Sequence, residues 1–278
     1  MMKHFKILTS AAVMGAIALA LMAPSAANAR TSPERSSVPV VVGTEVWGKW
    51  SGQNCTVGVV LQKSGLWAAL SPSERGARYV VIAKHCVRRT TEPIEVRTAN
   101  GTDVEVGSVV ALADPDDLAL VRIEGSPHGA RTCSATSGHF ICMPSTVYSP
   151  QAFNRVFLPG FAPGHETTLP MTRQGVPGPR ETFCTSGAVT RSLCEWTSTN
   201  VPPAWVQHHV YAAARSTGAN LLKGDSGGAV VSRTGDFYGI ATDSGLYDSD
   251  HSNIDIMGYT DAARVLSDFR GYHMAPAS

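Results

Sequence analysis

The sequence predicts an all-β protein arranged as barrels or a sandwich, with a single helix near its C-terminal end. Short segments rich in valine and other strand-favouring residues recur along the chain, and glycine, proline, serine, aspartate and asparagine fill the gaps. Helical patterns are missing from these gaps, which favours sheets packed on sheets. The predicted strands are residues 56–62, 79–83, 104–110, 118–123, 156–158, 208–213, 229–232, 237–242 and 254–259.

The one predicted helix lies near the end of the chain. Its apolar face is formed at helical spacing by Ala262, Val265, Leu266 and Phe269. Thr260 and Asp261 can cap its first turn, and Gly271 is placed to end it. We expect this helix to pack on the surface of the fold and to take no part in chemistry.

Residues 159–180 are predicted to form a long loop, because prolines and glycines recur throughout this stretch. The loop either borders a functional cleft or lies uninvolved on the surface. The chain shows no internal repeat and no heptad pattern.

Residues 1–29 have the layout of a secretory signal peptide. Lys3 and Lys6 form a basic start, residues 7–23 are apolar, and Ala27-Asn28-Ala29 is a cleavage signal. The alternative is a membrane anchor, but the apolar run is short and ends in small residues and a proline. We therefore expect a secreted protein, extracellular or periplasmic, without a membrane partner once the signal is removed.

The charge balance argues against a nucleic acid or an anionic membrane as the partner. Loss of residues 1–29 would remove two lysines and no acid, so that the formal charge changes from +1 to −1. The remaining chain is long enough for one large or two small domains. We expect a monomer.

Six cysteines in an exported chain predict three disulfides. Local spacing favours Cys55 with Cys86, Cys133 with Cys142, and Cys184 with Cys194. Other pairings remain open from the sequence alone. A zinc site is not favoured, because the cysteines are scattered and no C-x-x-C pair occurs.

The segment Gly224-Asp225-Ser226-Gly227-Gly228 carries the strongest chemical signal. Glycines beside a serine let the backbone turn sharply, so that successive N–H groups can converge as an oxyanion hole. A serine hydroxyl needs a neighbouring base to act as a nucleophile at neutral pH, and a carboxylate then orients that base. The motif therefore directs the search to one histidine and one aspartate.

His85 and Asp117 have the best settings for these two tasks. His85 ends a predicted buried strand and precedes Cys86, a predicted disulfide half, so it is held on a rigid element. Asp117 begins the apolar strand 118–123. The alternatives are a structural histidine and an aspartate that only forms a turn, and Asp116 is a rival for the carboxylate.

The chain resembles the chymotrypsin/trypsin-like serine proteases, and most closely the compact bacterial secreted members. The segments that carry the resemblance are Cys55-Thr56-Val57-Gly58, Ala83-Lys84-His85-Cys86, Asp117-Leu118-Ala119-Leu120 and Gly224-Asp225-Ser226-Gly227-Gly228. Their order matches the family's His, Asp, Ser order. The likeness covers most of residues 40–272 and is thin between residues 125 and 220.

The resemblance implies two six-stranded antiparallel β-barrels, residues 40–140 and 141–278, with the terminal helix in the second. It assigns Ser226 as nucleophile, His85 as general base and acid, and Asp117 as orienting carboxylate. The N–H groups of Gly224 and Ser226 would form the oxyanion hole. Asp225 would hold the loop through a cationic partner, either a free amino terminus or an arginine.

The same resemblance locates an unusual specificity pocket. Its base would be Asn220, and its walls would be Met257 and the segment Thr242-Asp243-Ser244. An uncharged amide at the base argues against a strong preference for Lys or Arg, and the bulky walls favour small or medium apolar side chains. We therefore expect an uncharged P1 residue.

The start of the mature protein also departs from the family. Residues 40–44 only approximate the family's N-terminal segment, and no basic residue directly precedes Val40. Activation by a trypsin-like cut is therefore doubtful. Residues 30–39 are a short pro-segment or an N-terminal extension.

The sequence thus predicts an exported serine endopeptidase that acts on proteins or peptides without a metal or cofactor. One rival is a protein of protease fold that serves in binding or adhesion. The other is an α/β-hydrolase esterase, because Gly224-x-Ser226-x-Gly228 fits its nucleophile motif. Those enzymes place the aspartate and histidine after the serine on a sheet fed by helices, and the helix signals are absent here.

Overall fold

The computed structural model describes residues 32–136, 139–162, 164–249 and 252–278. The strands are β1 Val40–Val42, β2 Glu45–Gly48, β3 Asn54–Thr56, β4 Val59–Lys63, β5 Arg78–Ala83, β6 Pro93–Arg97, β7 Asp103–Ala113, β8 Leu118–Ile123, β9 Ser126–Thr136, β10 His139–Ser149, β11 Ala152–Pro159, β12 Glu166–Pro170, β13 Phe183–Gly187, β14 Arg191–Thr199, β15 Ala212–Arg215, β16 Ala229–Val231, β17 Phe237–Ser244, β18 Ile256–Asp261 and β19 Tyr272–Met274. The helices are α1 Leu66–Leu70, α2 Pro72–Gly76, α3 Pro203–Val206 and α4 Ala262–Asp268. Short 3-10 turns cover Pro33–Arg35, Lys84–Cys86 and Gly245–Tyr247.

The first half of the chain, together with the C-terminal strand β19, forms an eight-stranded sheet in the order β19-β4-β5-β8-β7-β6-β2-β3. Strand β5 is central, and all six of its residues are buried. Its long apolar run explains this position, because a strand covered on both faces has no polar side to expose. Antiparallel pairing places Ala83 of β5 opposite Leu118 of β8.

The second half forms a closed six-stranded barrel in the order β13-β14-β15-β18-β17-β16. Its core includes Phe183, Trp196, Met257 and Tyr259. Trp196 is fully buried, and its Nε1–H donates to the Thr185 hydroxyl at 3.0 Å, so that the polar end of the indole is satisfied.

The all-β class and the two-barrel architecture are confirmed, with one difference of detail. The first sheet has eight strands where six were expected, because β3 extends one end and the C-terminal strand β19 pairs with β4 at the other. The chain therefore returns from the second half to the first. The domain boundary expected at residues 140–141 stays a prediction; these residues lie in β10, which pairs with β9 in a separate two-stranded hairpin.

Three disulfides join the cysteine pairs that local spacing favoured. Cys55 of β3 is bonded to Cys86, which lies in the 3-10 turn after β5. Cys133 and Cys142 cross-link the β9–β10 hairpin, and Cys184 and Cys194 link β13 to β14.

The terminal helix forms as predicted. The Asp261 carboxylate accepts the Arg264 N–H at 3.0 Å and caps α4, and the buried Val265 packs into the core of the first half. The sequence also produced errors. His208 and His209 lie in a turn after α3 rather than in a strand, because β15 begins only at residue 212. Residues 159–180 contain strand β12, which pairs with β11.

The described residues include no helix that is both long and apolar enough to span a bilayer. The predicted signal peptide, residues 1–29, lies outside the described residues.

Truncation of the second barrel's core should destabilise the protein strongly. Phe183 is fully buried and makes edge-to-face contacts with Tyr238 and Tyr259. Phe183→Ala should lower the free energy of unfolding by about 3–5 kcal/mol in urea titrations, because it removes apolar burial and leaves a cavity. Phe161→Ala is the control, since that side chain is exposed and its loss should cost no more than about 0.5 kcal/mol. Equal midpoints for the two variants would contradict this packing.

Candidate active site

The pairing of β5 with β8 brings His85 and Asp117 together. His85 lies in the 3-10 turn that follows β5, and Asp117 directly precedes β8. The Asp117 Oδ2 and the His85 Nδ1 are 2.6 Å apart, and Asp117 Oδ1 accepts the His85 backbone N–H at 2.9 Å. A proton on Nδ1 leaves Nε2 free to accept another.

Asp117 itself has a left-handed backbone, with φ of 53°. A non-glycine residue rarely adopts this conformation, and aspartate tolerates it better than most. The Lys84 N–H donates to the Asp117 carbonyl at 2.8 Å and fixes the backbone in place. The turn thus aims the carboxylate at His85.

Asp116, which the sequence left as an alternative to Asp117 for the carboxylate, has a different environment. Its side chain is 4% exposed, and its carboxylate accepts a hydrogen bond from the Arg264 Nε at 2.6 Å. This ion pair ties the turn before β8 to helix α4. The structure therefore places Asp117, and not Asp116, against the imidazole.

The serine loop requires glycine on both sides of Ser226. Gly224 has φ of +102° and Gly227 has φ of +87°, both in the left-handed region that side chains disfavour. A Cβ on Gly224 would also collide with Asn54 and Val189. The backbone N–H groups of Gly224 and Ser226 donate to no other residue of the described chain. Both donors therefore stay available to a ligand.

Thr56 of β3 holds this loop from the first half of the molecule, a role that the sequence did not reveal. The Thr56 N–H donates to the Ser226 carbonyl at 2.9 Å, and the Thr56 hydroxyl donates to the Gly224 carbonyl at 2.7 Å. The same hydroxyl accepts the Ala188 N–H at 2.9 Å. One fully buried residue thus orients two peptide carbonyls of the serine loop, one through its N–H and one through its hydroxyl.

Asp225 is held by backbone N–H groups, which corrects the expectation of a cationic partner. Its carboxylate is 1% exposed and accepts the N–H groups of Val189, Thr190 and Leu222, each at 2.9 Å. No ion pair involves Asp225 within the ranges that the structure describes. Burial raises the pKa of Asp225, and these N–H donors oppose that rise. Three backbone N–H groups therefore bind this carboxylate in place of the expected cation.

His85 and Ser226 face the same cavity, which has a volume of about 440 Å³. The cavity is lined by Gln53, Asn54, His85, Cys86, Leu221, Leu222, Lys223, Gly224, Ser226, Thr242, Asp243, Ser244, Tyr247 and Asp248. Among the hydrogen bonds between described side chains, none joins the Ser226 hydroxyl to the His85 ring. In active sites of this kind that bond often tightens only when substrate binds.

The five residues predicted for the specificity pocket are divided between two environments. Thr242, Asp243 and Ser244 line the cavity at the end of β17. Met257 is fully buried in the barrel core, because its strand β18 turns this side chain inward. Asn220 also lies outside the lining, and its buried side-chain oxygen has no hydrogen-bond partner in the described structure.

The cavity also contains residues that the sequence did not single out. The Tyr247 hydroxyl accepts the Lys223 N–H at 2.9 Å, and the Lys223 ammonium lies 5.5 Å from the centre of the Tyr247 ring. The Ser244 hydroxyl donates to the Leu221 carbonyl at 3.0 Å. The only signal in the sequence that residues 221–223 line the cavity is their position directly before the serine motif.

The electrostatic environment keeps the imidazolium form of His85 accessible. The hydrogen bond that His85 donates to Asp117 raises the pKa of His85 above its usual value, burial opposes this rise, and the charges of Asp117 and Asp243 add to it. Burial raises the pKa of Asp243, while its hydrogen bond from the Thr242 hydroxyl lowers it. Asp243 is therefore a second negative charge that favours the protonated form of His85.

Cys55, His85 and Cys86 lie close enough together to be considered as metal ligands. The two sulfurs are bonded to each other in a disulfide, which removes their thiolate donors. This group of residues does not fit a metal site.

Comparisons with known proteins agree with the fold. One similar solved structure is described as a glutamic acid specific serine protease that uses a histidine triad in substrate binding. It is 20% identical, the match covers 85% of this chain and 100% of the other, and the TM-score is 0.51. Protease A of Thermobifida fusca is 17% identical, with coverage of 85% and 98% and a TM-score of 0.48. A Nocardiopsis protease is 15% identical, with coverage of 84% and 97% and a TM-score of 0.49.

The family model for trypsin matches residues 73–267, which is well over half of the chain. The chain therefore belongs to the trypsin family. No curated protein sequence matches it. At 20% identity and a TM-score of 0.51, the likeness to the first of these structures shows the fold alone.

Histidine titration followed by NMR tests the electrostatics of the site. His85 should titrate above pH 6.5, the usual histidine value. Asp117→Asn should lower its pKa most, because the largest raising contribution disappears, and Asp243→Asn should lower it less. Asp248→Asn is the control, since Asp248 lines the same cavity but does not contribute to the pKa shift of His85. An unchanged pKa in Asp117→Asn would contradict the observed geometry.

Proposed function

We propose that this protein is a serine endopeptidase with Ser226 as nucleophile, His85 as general base and acid, and Asp117 as orienting carboxylate. The carrying observation is the Asp117–His85 hydrogen bond at 2.6 Å beside a cavity that Ser226 also lines. In this mechanism His85 Nε2 takes the Ser226 proton as the hydroxyl attacks a peptide carbonyl. The proton then passes to the leaving amine, and water hydrolyses the acyl-enzyme.

The backbone donors of the serine loop would stabilise the tetrahedral intermediate. The N–H groups of Gly224 and Ser226 have no internal acceptor in the described chain, and Thr56 holds the neighbouring carbonyls. Donors fixed before the reaction need no reorganisation when the oxyanion develops. These features support an enzyme over a binding protein of the same fold.

Export fits the same proposal. Three disulfides persist in oxidising compartments, which supports a protein secreted to the periplasm or the medium after cleavage of its signal peptide. The substrates would be proteins or peptides. We propose a monomer that needs neither a metal nor a cofactor.

For specificity we propose a small or medium uncharged P1 side chain. Leu221, Ser244 and Tyr247 line the cavity with uncharged side chains, and the Lys223 ammonium beside Tyr247 disfavours a second cation. The similar protease described as glutamic acid specific uses a histidine triad in substrate binding. Across the described part of this chain, His85 is the one histidine in the cavity wall, so that specificity does not transfer.

Substitution in the triad tests the reaction itself. Ser226→Ala should abolish both peptide hydrolysis and labelling by a fluorophosphonate probe. Asp117→Asn should lower kcat by about 10⁴-fold, because the imidazole then presents the wrong tautomer. Asp116→Asn is the matched control and should retain most activity, since Asp116 contacts Arg264 and not His85.

Two results would contradict this assignment. Labelling that persists in Ser226→Ala would place the nucleophile elsewhere. A folded protein that neither labels nor cleaves any peptide would favour the binding function.

A peptide series that varies only P1 tests the specificity. Alanine, valine and leucine should give higher kcat/KM than glutamate, lysine or arginine, because most of the cavity lining is uncharged and its charged side chains, Lys223, Asp243 and Asp248, carry both signs. Initial rates at low substrate concentration measure this ratio directly. A charged P1 residue as the fastest substrate would overturn the proposed preference.

A further inference from the structure

Arg35 is fully buried although it lies in the segment before Val40. Arginine is rarely buried unless its charge is paired. Its guanidinium donates to both oxygens of Glu166, at 2.9 and 2.7 Å, and packs over the Phe157 ring at 4.5 Å. The group also donates to the Gly43 carbonyl at 2.8 Å. This interaction anchors residues 32–39 in the folded protein. A segment that is cut off during maturation is not expected to make such an interaction.

Glu166 connects this arginine to the start of strand β14. Its Oε1 accepts the Ser192 N–H at 2.9 Å and the Ser192 hydroxyl at 2.7 Å, and its Oε2 accepts the Arg191 Nε at 3.1 Å. Burial raises the pKa of Glu166, but Arg35 and these donors outweigh it and lower the pKa to about 2. The Glu166 carboxylate is therefore ionised at neutral pH.

Arg35 holds the other side of the same turn. Its guanidinium donates to the hydroxyl of the buried Ser186, the next-to-last residue of β13, at 3.2 Å. The Arg35–Glu166 pair is thus hydrogen-bonded to both strands that flank the turn at residues 188–190. A bidentate arginine–carboxylate pair is the most geometrically restrictive ion pair that side chains form.

The gripped turn supplies the contacts that hold the serine loop. Ala188 donates its N–H to the Thr56 hydroxyl, which in turn donates to the Gly224 carbonyl. Val189 and Thr190 donate their N–H groups to the Asp225 carboxylate. Two short chains of hydrogen bonds therefore run from the turn to the residues directly before the nucleophile.

We propose that Arg35 is a positioning residue of the active site and that residues 32–39 stay attached in the active protein. Arg35 and Glu166 clamp the turn at residues 188–190, and the turn orders the loop that carries Ser226. A cut before Val40 would remove the arginine and leave the Glu166 charge buried with a weaker set of partners. This proposal rests on the proposed function, because its readout includes peptide hydrolysis.

Asp225 therefore depends on a cation only indirectly. Arg35 makes no direct contact with that carboxylate, but it fixes the turn whose amides do. Proteolytic activation at Val40 would then reduce activity, which is opposite to the behaviour expected of a conventional pro-segment.

The test compares three variants of the full-length chain. Arg35→Met removes the charge, and Arg35→Met/Glu166→Met replaces the buried ion pair with apolar groups of similar size. Arg173→Met is the matched control, because Arg173 makes an equally bidentate pair with Asp236 but is exposed. The measurements are the melting temperature, kcat and KM on a peptide, amide hydrogen exchange at Val189 and Thr190, and the intact mass of the fluorophosphonate-labelled protein.

We expect Arg35→Met to lower both the melting temperature and kcat. The double variant should recover much of the melting temperature, because no charge is left buried without a partner. Its kcat should stay about 10- to 100-fold low with KM nearly unchanged, a loss somewhat smaller than that from deleting one oxyanion donor. Exchange at Val189 and Thr190 should accelerate in both variants and remain slow in Arg173→Met.

Two results would overturn the proposal. The first is a double variant with wild-type kcat or with wild-type protection of Val189 and Thr190, since the arginine would then only stabilise the fold. The second is a labelled, fully active protein whose mass shows that it begins at Val40. A wild-type protein that does not label at Ser226 is a separate result, which would refute the proposed function. The exchange data would still decide whether Arg35 orders the turn.

Discussion

The hydrogen bonds of Thr56 are the interaction on which the rest of the site depends. This residue belongs to β3 in the first half of the molecule, yet both its N–H and its hydroxyl donate to carbonyls of the serine loop in the second half. A buried hydrogen bond of this kind costs about 1–3 kcal/mol when one partner is left unsatisfied. The geometry of the loop is therefore set by the packing of one half of the protein on the other.

Two consecutive residues of strand β3 connect the His85 side of the site to the Ser226 side. Cys55 is bonded to Cys86, the neighbour of His85, whereas Thr56 holds the loop of Ser226. His85 is also bonded to Asp117 through the pairing of β5 with β8. His85 is thus held by a carboxylate and by the disulfide of its neighbour, and the loop of Ser226 by hydrogen bonds from the N–H and the hydroxyl of Thr56. Movement of β3 would disturb both at once.

Local patterns predicted what depends on local sequence. Strand β8 was predicted at residues 118–123 and forms there, because its short apolar run can be buried only as a strand of the sheet. His208 and His209 imitated strand alternation while lying in a turn. Arg35 left no signal, since a buried charge is recognisable only from its partner, and Glu166 lies 131 residues away. The contacts of Thr56 with Gly224 span 168 residues and were equally invisible.

A crystal structure of the protein after reaction with a fluorophosphonate would test the central claim most directly. The account predicts phosphorus bonded to the Ser226 oxygen, with the phosphoryl oxygen accepting the N–H groups of Gly224 and Ser226. It also predicts the His85 ring within hydrogen-bond distance of the adduct and still joined to Asp117. A phosphoryl oxygen directed to solvent, or an adduct on another residue, would contradict it.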